Sequence, residues 1–174
     1  MLRGAEDKER MDSKFVAALV VSTLAMAACS NEKTPGTSQE KPVLTAATLG
    51  EQTVRTAAEY LAQDRYASAD LEQGKLQAQV CRACHTLEAE GVHMIGPRLY
   101  GVFGSKAGKS EGFPYSQVLA DAEFTWTPRA LDAWLTYPGR FLPGNLMSFP
   151  GVRDQAARDD LMAYLLTVTA AGQN

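Results

Sequence analysis

The run Cys81-Arg82-Ala83-Cys84-His85 constrains this chain more than any other feature. On a helical turn the two thiols lie one turn apart, and the imidazole that follows reaches the same space. Cys-x-x-Cys-His is the attachment pattern of a c-type haem: each thiol can form a thioether to one vinyl group, and the His can ligate the iron. A bare Cys-x-x-Cys would also suit a redox dithiol or half of a zinc site. The first needs a βαβ pattern around it, which is not visible. The second needs another ligand pair, and the only other Cys and His are Cys29 and His93. One motif means one haem.

A haem iron in an electron carrier takes a sixth ligand, and Met is the usual partner of His. Of six methionines, Met1, Met11 and Met26 precede or lie in an N-terminal apolar segment. Met94 sits in a Gly-rich stretch, and Met162 in an amphipathic pattern that suits core packing. Met147 lies in Pro143-Gly-Asn-Leu-Met147-Ser-Phe-Pro-Gly151, whose prolines and glycines predict an ordered loop able to present a thioether. Met147 is the expected ligand; its plain alternative is a gap-filling Met.

The rest of the pattern is helical. One helix should run from Ser68 or Asp70 into the Cys pair, with Asp70 as cap and Gly74 and Ala78 small enough for close approach of another helix. A second should follow Thr127 as cap with Pro128 at its first position, and stop before Pro138. A third should span about Asp154 to Thr169, with Leu161, Tyr164, Leu165 and Val168 on one face that crosses the first helix. Residues 86–112 hold six glycines and no clean period, which predicts a long loop wrapped around the haem and ordered by it. The fold class expected is all-α, three main helices and long loops around one covalently bound haem.

From Cys81 to about Thr169 the chain resembles the class I cytochromes c, of the mitochondrial and bacterial c2 type. The resemblance rests on Cys81-Arg-Ala-Cys84-His85, Gly96-Pro-Arg-Leu-Tyr-Gly-Val-Phe-Gly104 and Gly112-Phe-Pro-Tyr-Ser116. Phe124-Thr-Trp126, the Met147 loop and Arg158-Asp-Asp-Leu-Met-Ala-Tyr-Leu165 follow in order. It implies that the Pro97 carbonyl accepts the His85 ring N–H, that Tyr115 and Trp126 bond a buried haem propionate, and that Trp134 stands near the Met ligand. Three departures stand out. Ser105 replaces an Arg beside the propionates. Ala78 replaces an aromatic on the first helix. The lysine ring around the haem edge is nearly missing, with Gly139, Arg140 and Leu146 at its positions and Asp154 just beyond, which argues against docking to an acidic partner.

The N-terminus reads as a targeting segment. Phe15 to Ala28 is an apolar run behind Lys14, short for a membrane span and suited to a signal peptide; Met11 would serve as an alternative start. Leu24-Ala-Met-Ala-Ala-Cys29-Ser resembles a bacterial lipobox, which makes Cys29 the expected lipidation site. The expected organisation is a signal segment over 1–28, a lipid-anchored flexible tether with a short helix over 29–67, and a haem domain over 68–174. Residues 50–174 carry 11 basic and 14 acidic side chains, so no basic patch points to nucleic acid.

The reading is a monohaem c-type electron carrier, not an enzyme, tethered by lipid on the periplasmic side of a bacterial membrane. By resemblance, its donor would be a quinol-oxidising complex and its acceptor a terminal oxidase or reductase. The alternative is a cytochrome subunit of a larger respiratory complex. A haem enzyme or gas sensor with an open sixth site fits less well, because there is one haem motif and 89 residues follow His85.

Overall fold

The computed structural model describes residues 44–170. The signal segment, Cys29 and the tether up to residue 43 lie outside that range. Within it, a 3-10 turn at Ala46–Thr48 precedes α1 (Ala57–Leu61), α2 (Asp64–Ala67), α3 (Leu71–Arg82), α4 (Gln117–Ala120), α5 (Pro128–Thr136), α6 (Pro138–Phe141) and α7 (Gln155–Thr169). Among the described residues the sheet-type pairing is one isolated bridge, Lys106 to Thr125, so the all-α expectation holds.

The three long helices start where the cap residues predict. The Asp70 carboxylate accepts from the Glu72 and Gln73 N–H groups, each at 3.0 Å. Thr127 Oγ1 accepts from Ala130 N–H, with Pro128 in the first turn. Asp154 accepts from Ala157 N–H at 2.8 Å. In each case a short polar side chain satisfies a backbone donor that has no carbonyl four residues back. The short helices α4 and α6 lie in segments with no legible period.

α3 and α7 cross at Gly74. A Cβ added there would sit inside the Asp160 carbonyl and 2.8 Å from the Tyr164 Cβ. Ala78, one turn on, is fully buried. The helices thus meet almost backbone to backbone, which only small residues permit. The buried face of α7 is wider than its predicted stripe: Leu161 and Leu165 are buried as expected, and Met162, Ala163 and Leu166 are buried with them. Tyr164 and Val168 are only partly covered. A helix enclosed by several elements loses the polar face that a surface helix keeps.

Residues 44–67 differ from the sequence reading, which put them in a flexible tether. Leu49, Ala57, Tyr60 and Tyr66 are buried in the common core. Thr127 Oγ1 donates to Gln52 Oε1 at 2.6 Å. Arg65 pairs with Asp159 of α7 and lies 3.4 Å from Asp132 of α5. The packed body therefore begins by Leu44, not at 68. The segment shows no apolar period because it changes direction between two short helices, whose buried anchors are Ala57 and Tyr60 in α1 and Tyr66 in α2 and which both pack on α7.

Two polar anchors hold the loops. Arg158 is buried; its Nε donates to Asp132 Oδ1 at 2.9 Å, and its Nη1 donates to the Val152 and Arg153 carbonyls at 2.7 and 2.8 Å. This ties the return of the Met147 loop to α5 and α7. In the long loop after α3, His93 Nδ1 accepts from Arg98 N–H at 2.9 Å, and its Nε2–H donates to the Glu111 carbonyl at 2.8 Å. The loop expected to depend on the haem for order thus carries staples of its own.

Candidate functional site

α3 ends at Arg82 and the chain turns, with the Cys84 and His85 N–H groups both donating to the Cys81 carbonyl, at 3.1 and 2.9 Å. This turn puts both thiols and the imidazole on the wall of one cavity of about 1160 Å³. The thiols are free and half-buried, and burial pushes the Cys81 thiol up from its ordinary pKa.

His85 Nδ1 donates to the Pro97 carbonyl at 2.6 Å. A carbonyl only accepts, so this nitrogen carries the proton and Nε2 keeps its lone pair. Burial holds the imidazole below its ordinary range even though the Pro97 bond opposes it, so the ring is neutral at neutral pH. Gly96 supports the ring from behind: a Cβ there would lie within 2.8 Å of His85 Nε2 and closer still to Nδ1 and Cε1. Any larger residue would displace the imidazole.

Met147 reaches the same cavity from the loop between α6 and α7. Asn145 shapes that loop. Its Oδ1 accepts from Met147 N–H at 2.9 Å, and its Nδ2 donates to the Pro138 and Leu142 carbonyls at 2.9 and 2.8 Å. The thioether has a partner: Trp134 Nε1–H donates to Met147 Sδ at 3.2 Å. Trp134 packs edge-to-face on Trp126 and Phe141, with centroids 5.4 and 5.9 Å apart. Phe124 closes the cluster against Trp126 and Phe141.

The remaining predicted residues, Pro97, Tyr115 and Trp126, also line this cavity. Burial raises the Tyr115 phenol. Beside it, the Ser116 hydroxyl is buried on the cavity wall with no hydrogen-bond partner among the described residues. Leaving such a group unpaired costs about 1–3 kcal/mol, so it calls for an acceptor or donor from a ligand. Ser105 does not stand in for the charge it replaces, since its hydroxyl donates to the Val102 carbonyl at 2.7 Å.

These residues fit a haem. The cavity exceeds the roughly 300–1,000 Å³ of ordinary small-molecule pockets. Among the described residues no three His, Cys, Asp or Glu side chains gather as a cage for a bare metal ion. One neutral imidazole, one thioether and two thiols instead suit a metal that brings its own equatorial ligands. The unpaired Ser116 hydroxyl suits a polar group on such a ligand. Sequence reasoning missed Ser116, the Asn145 brace, the support from Gly96 and the Trp134 hydrogen bond. A Gly directly before the Pro whose carbonyl orients a His was the one local signal available.

No family model matches the chain. It is similar to cytochrome c of Trypanosoma brucei brucei, 46% identical over 78 residues that cover 45% of this chain and 84% of that one. It is 40% identical to cytochrome c of Chlamydomonas reinhardtii over 102 residues, 58% of this chain and 91% of the relative. With cytochrome c2 of Rhodoblastus acidophilus it shares 36% over 103 residues, 59% of this chain and 96% of the relative.

Proposed function

Because the chain belongs to the class I cytochrome c family, an electron carrier with one covalent haem c, we propose that Cys81, Cys84, His85 and Met147 hold the haem in the cavity described above. The observation that carries this is the meeting of a tautomer-fixed imidazole, a hydrogen-bonded thioether and two free thiols around one cavity. The haem iron, when bound, supplies a one-electron Fe(III)/Fe(II) couple.

The protein's part is ligation, insulation and presentation. Cys81 and Cys84, both free thiols on the cavity wall, would each hold the haem through a thioether and so prevent its loss. His85 donates from Nε2 while Pro97 keeps its proton on Nδ1. Met147 would supply a soft second ligand, favouring the ferrous state and closing the iron to exogenous ligands. Tyr115, Trp126 and Ser116 line the same cavity and would offer their polar atoms to the haem propionates. The buried Trp and Phe cluster keeps water from the Met147 side.

The setting of the carrier is part of the same proposal. A signal run ending in Cys29-Ser30 supports lipidation at Cys29 and a periplasmic, membrane-tethered protein. No helix among the described residues is long and apolar enough to cross a membrane. The resemblance to cytochromes c supports redox protein partners, and within this proposal the donor is a quinol-oxidising complex and the acceptor a terminal oxidase or reductase. Growth with a labelled fatty acid should label the mature protein and not its Cys29→Ser variant.

The haem reading is tested by spectra of the haem-loaded wild type and Met147→Ala, with and without carbon monoxide. Wild type should be low-spin and inert to carbon monoxide, and the variant high-spin and reactive. A wild type that binds carbon monoxide readily would mean that Met147 does not close the site.

A further inference from the structure

Four large apolar side chains line the cavity and are also exposed: Val80 at 62%, Met94 at 46%, Ile95 at 81% and Leu146 at 80%. Being both wall and surface, they form its rim. Val80 comes from the last turn of α3, Met94 and Ile95 from the loop after His85, and Leu146 from the residue before Met147. Single exposed apolar residues need no explanation, but three separate segments converging on one apolar rim do.

Charge does not compensate. Glu90, Arg98, Lys106 and Lys109 share the wall, but the Arg98 guanidinium and the Lys109 ammonium are turned to backbone, donating to the Ala89 and Ala120 carbonyls, which leaves Lys106 against Glu90. Residues 50–174 hold more acidic than basic side chains, 14 against 11. Such a protein offers an acidic partner neither a cationic patch nor a favourable long-range field. The rim presents on the order of a few hundred Å², far short of the roughly 1,200–2,000 Å² of a stable interface and on the scale of a transient redox encounter.

We propose that this rim is the docking surface for a redox protein whose own contact face is apolar and uncharged, so that the encounter forms by apolar burial and not by charge pairing. The proposal rests on the haem occupying the cavity, since electrons must then cross at its mouth.

Electron self-exchange between oxidised and reduced copies of the haem-loaded protein, read by NMR line broadening, sets one apolar rim against another and needs no identified partner. The wild-type rate should change by less than about two-fold between roughly 10 and 500 mM salt. Ile95→Lys and Leu146→Lys should each slow exchange about tenfold at low salt, and salt should restore part of the loss. Ile95→Ser should slow it without adding salt dependence. A strongly salt-dependent wild type, or lysine variants as fast as wild type, would overturn the proposal. So would a stable dimer in light scattering, or binding to phosphatidylcholine vesicles, if the lysine variants abolish it; these would assign the rim to a second copy or to a lipid surface. The absorption spectrum separates the two readings: a wild type lacking His and Met ligation strikes the haem assignment, whereas intact spectra with the wrong rates strike only the docking surface.

Discussion

The Trp134 indole N–H points at the Met147 sulfur from 3.2 Å, and Trp126 and Phe141 hold the indole there by edge-to-face contact. A thioether that accepts a hydrogen bond through one lone pair keeps the other for a metal. The bond draws density from sulfur and makes it a weaker donor, which disfavours the more electron-poor ferric state.

Trp134→Phe keeps the ring cluster and deletes the donor. A hydrogen bond worth about 0.5–1 kcal/mol corresponds to roughly 20–40 mV for one electron. The reduction potential should fall by that amount while the low-spin spectrum persists. An unchanged potential in a redox titration would show that the bond does not act on the ligand.

Gly74→Ala tests the α3–α7 crossing. The new methyl would collide with the Asp160 carbonyl, which belongs to backbone and cannot swing away. Separating the helices should cost about 1–3 kcal/mol, read as a lower denaturant midpoint with an unchanged m-value. Wild-type stability would mean that the helices have slack at this point.

Starting the chain at Ser68 removes the buried anchors Leu49, Ala57, Tyr60 and Tyr66. The melting temperature of the haem-loaded protein should fall by at least about 10 °C. No residue of 44–67 lines the haem cavity, so the spectrum and potential should stay as they are. A truncated protein as stable as the full chain would reduce the segment to an ornament.

Tyr66 predicts an alkaline loss of stability. Burial is the main cause that raises its phenol to about 12; Asp132 and Asp159 add to it and Arg65 opposes it. The unfolded chain ionises near its ordinary value of 10.0, so only the unfolded state gains from deprotonation between these limits. Stability present below pH 10 should therefore be lost as pH rises towards about 12. Thermal melts of the reduced protein should show Tyr66→Phe losing less over this window. Parallel curves for the two proteins would remove Tyr66 as the cause.

Much of this protein could be read from short windows of sequence. Cys81, Cys84 and His85 form one chemical unit within five residues, and Asp70, Thr127 and Asp154 cap helices through bonds two or three residues away. Such features are local, so tertiary context has little power to change them. The Gly74–Ala78 pair likewise announced a close helix contact, and the apolar face of the helix after Asp154 named its partner.

What only the tertiary structure decided depends on residues far apart in the chain. The burial of 44–67 follows from Gln52 meeting Thr127 and Arg65 meeting Asp159, contacts 75 and 94 residues apart. Whether Ser116 faces a cavity and whether Trp134 aims its N–H at sulfur are set by packing directions. So is the joining of Val80, Ile95 and Leu146 at one rim. A window of sequence shows which residues are apolar or polar; it does not show which surface will cover them, because that surface comes from elsewhere in the fold.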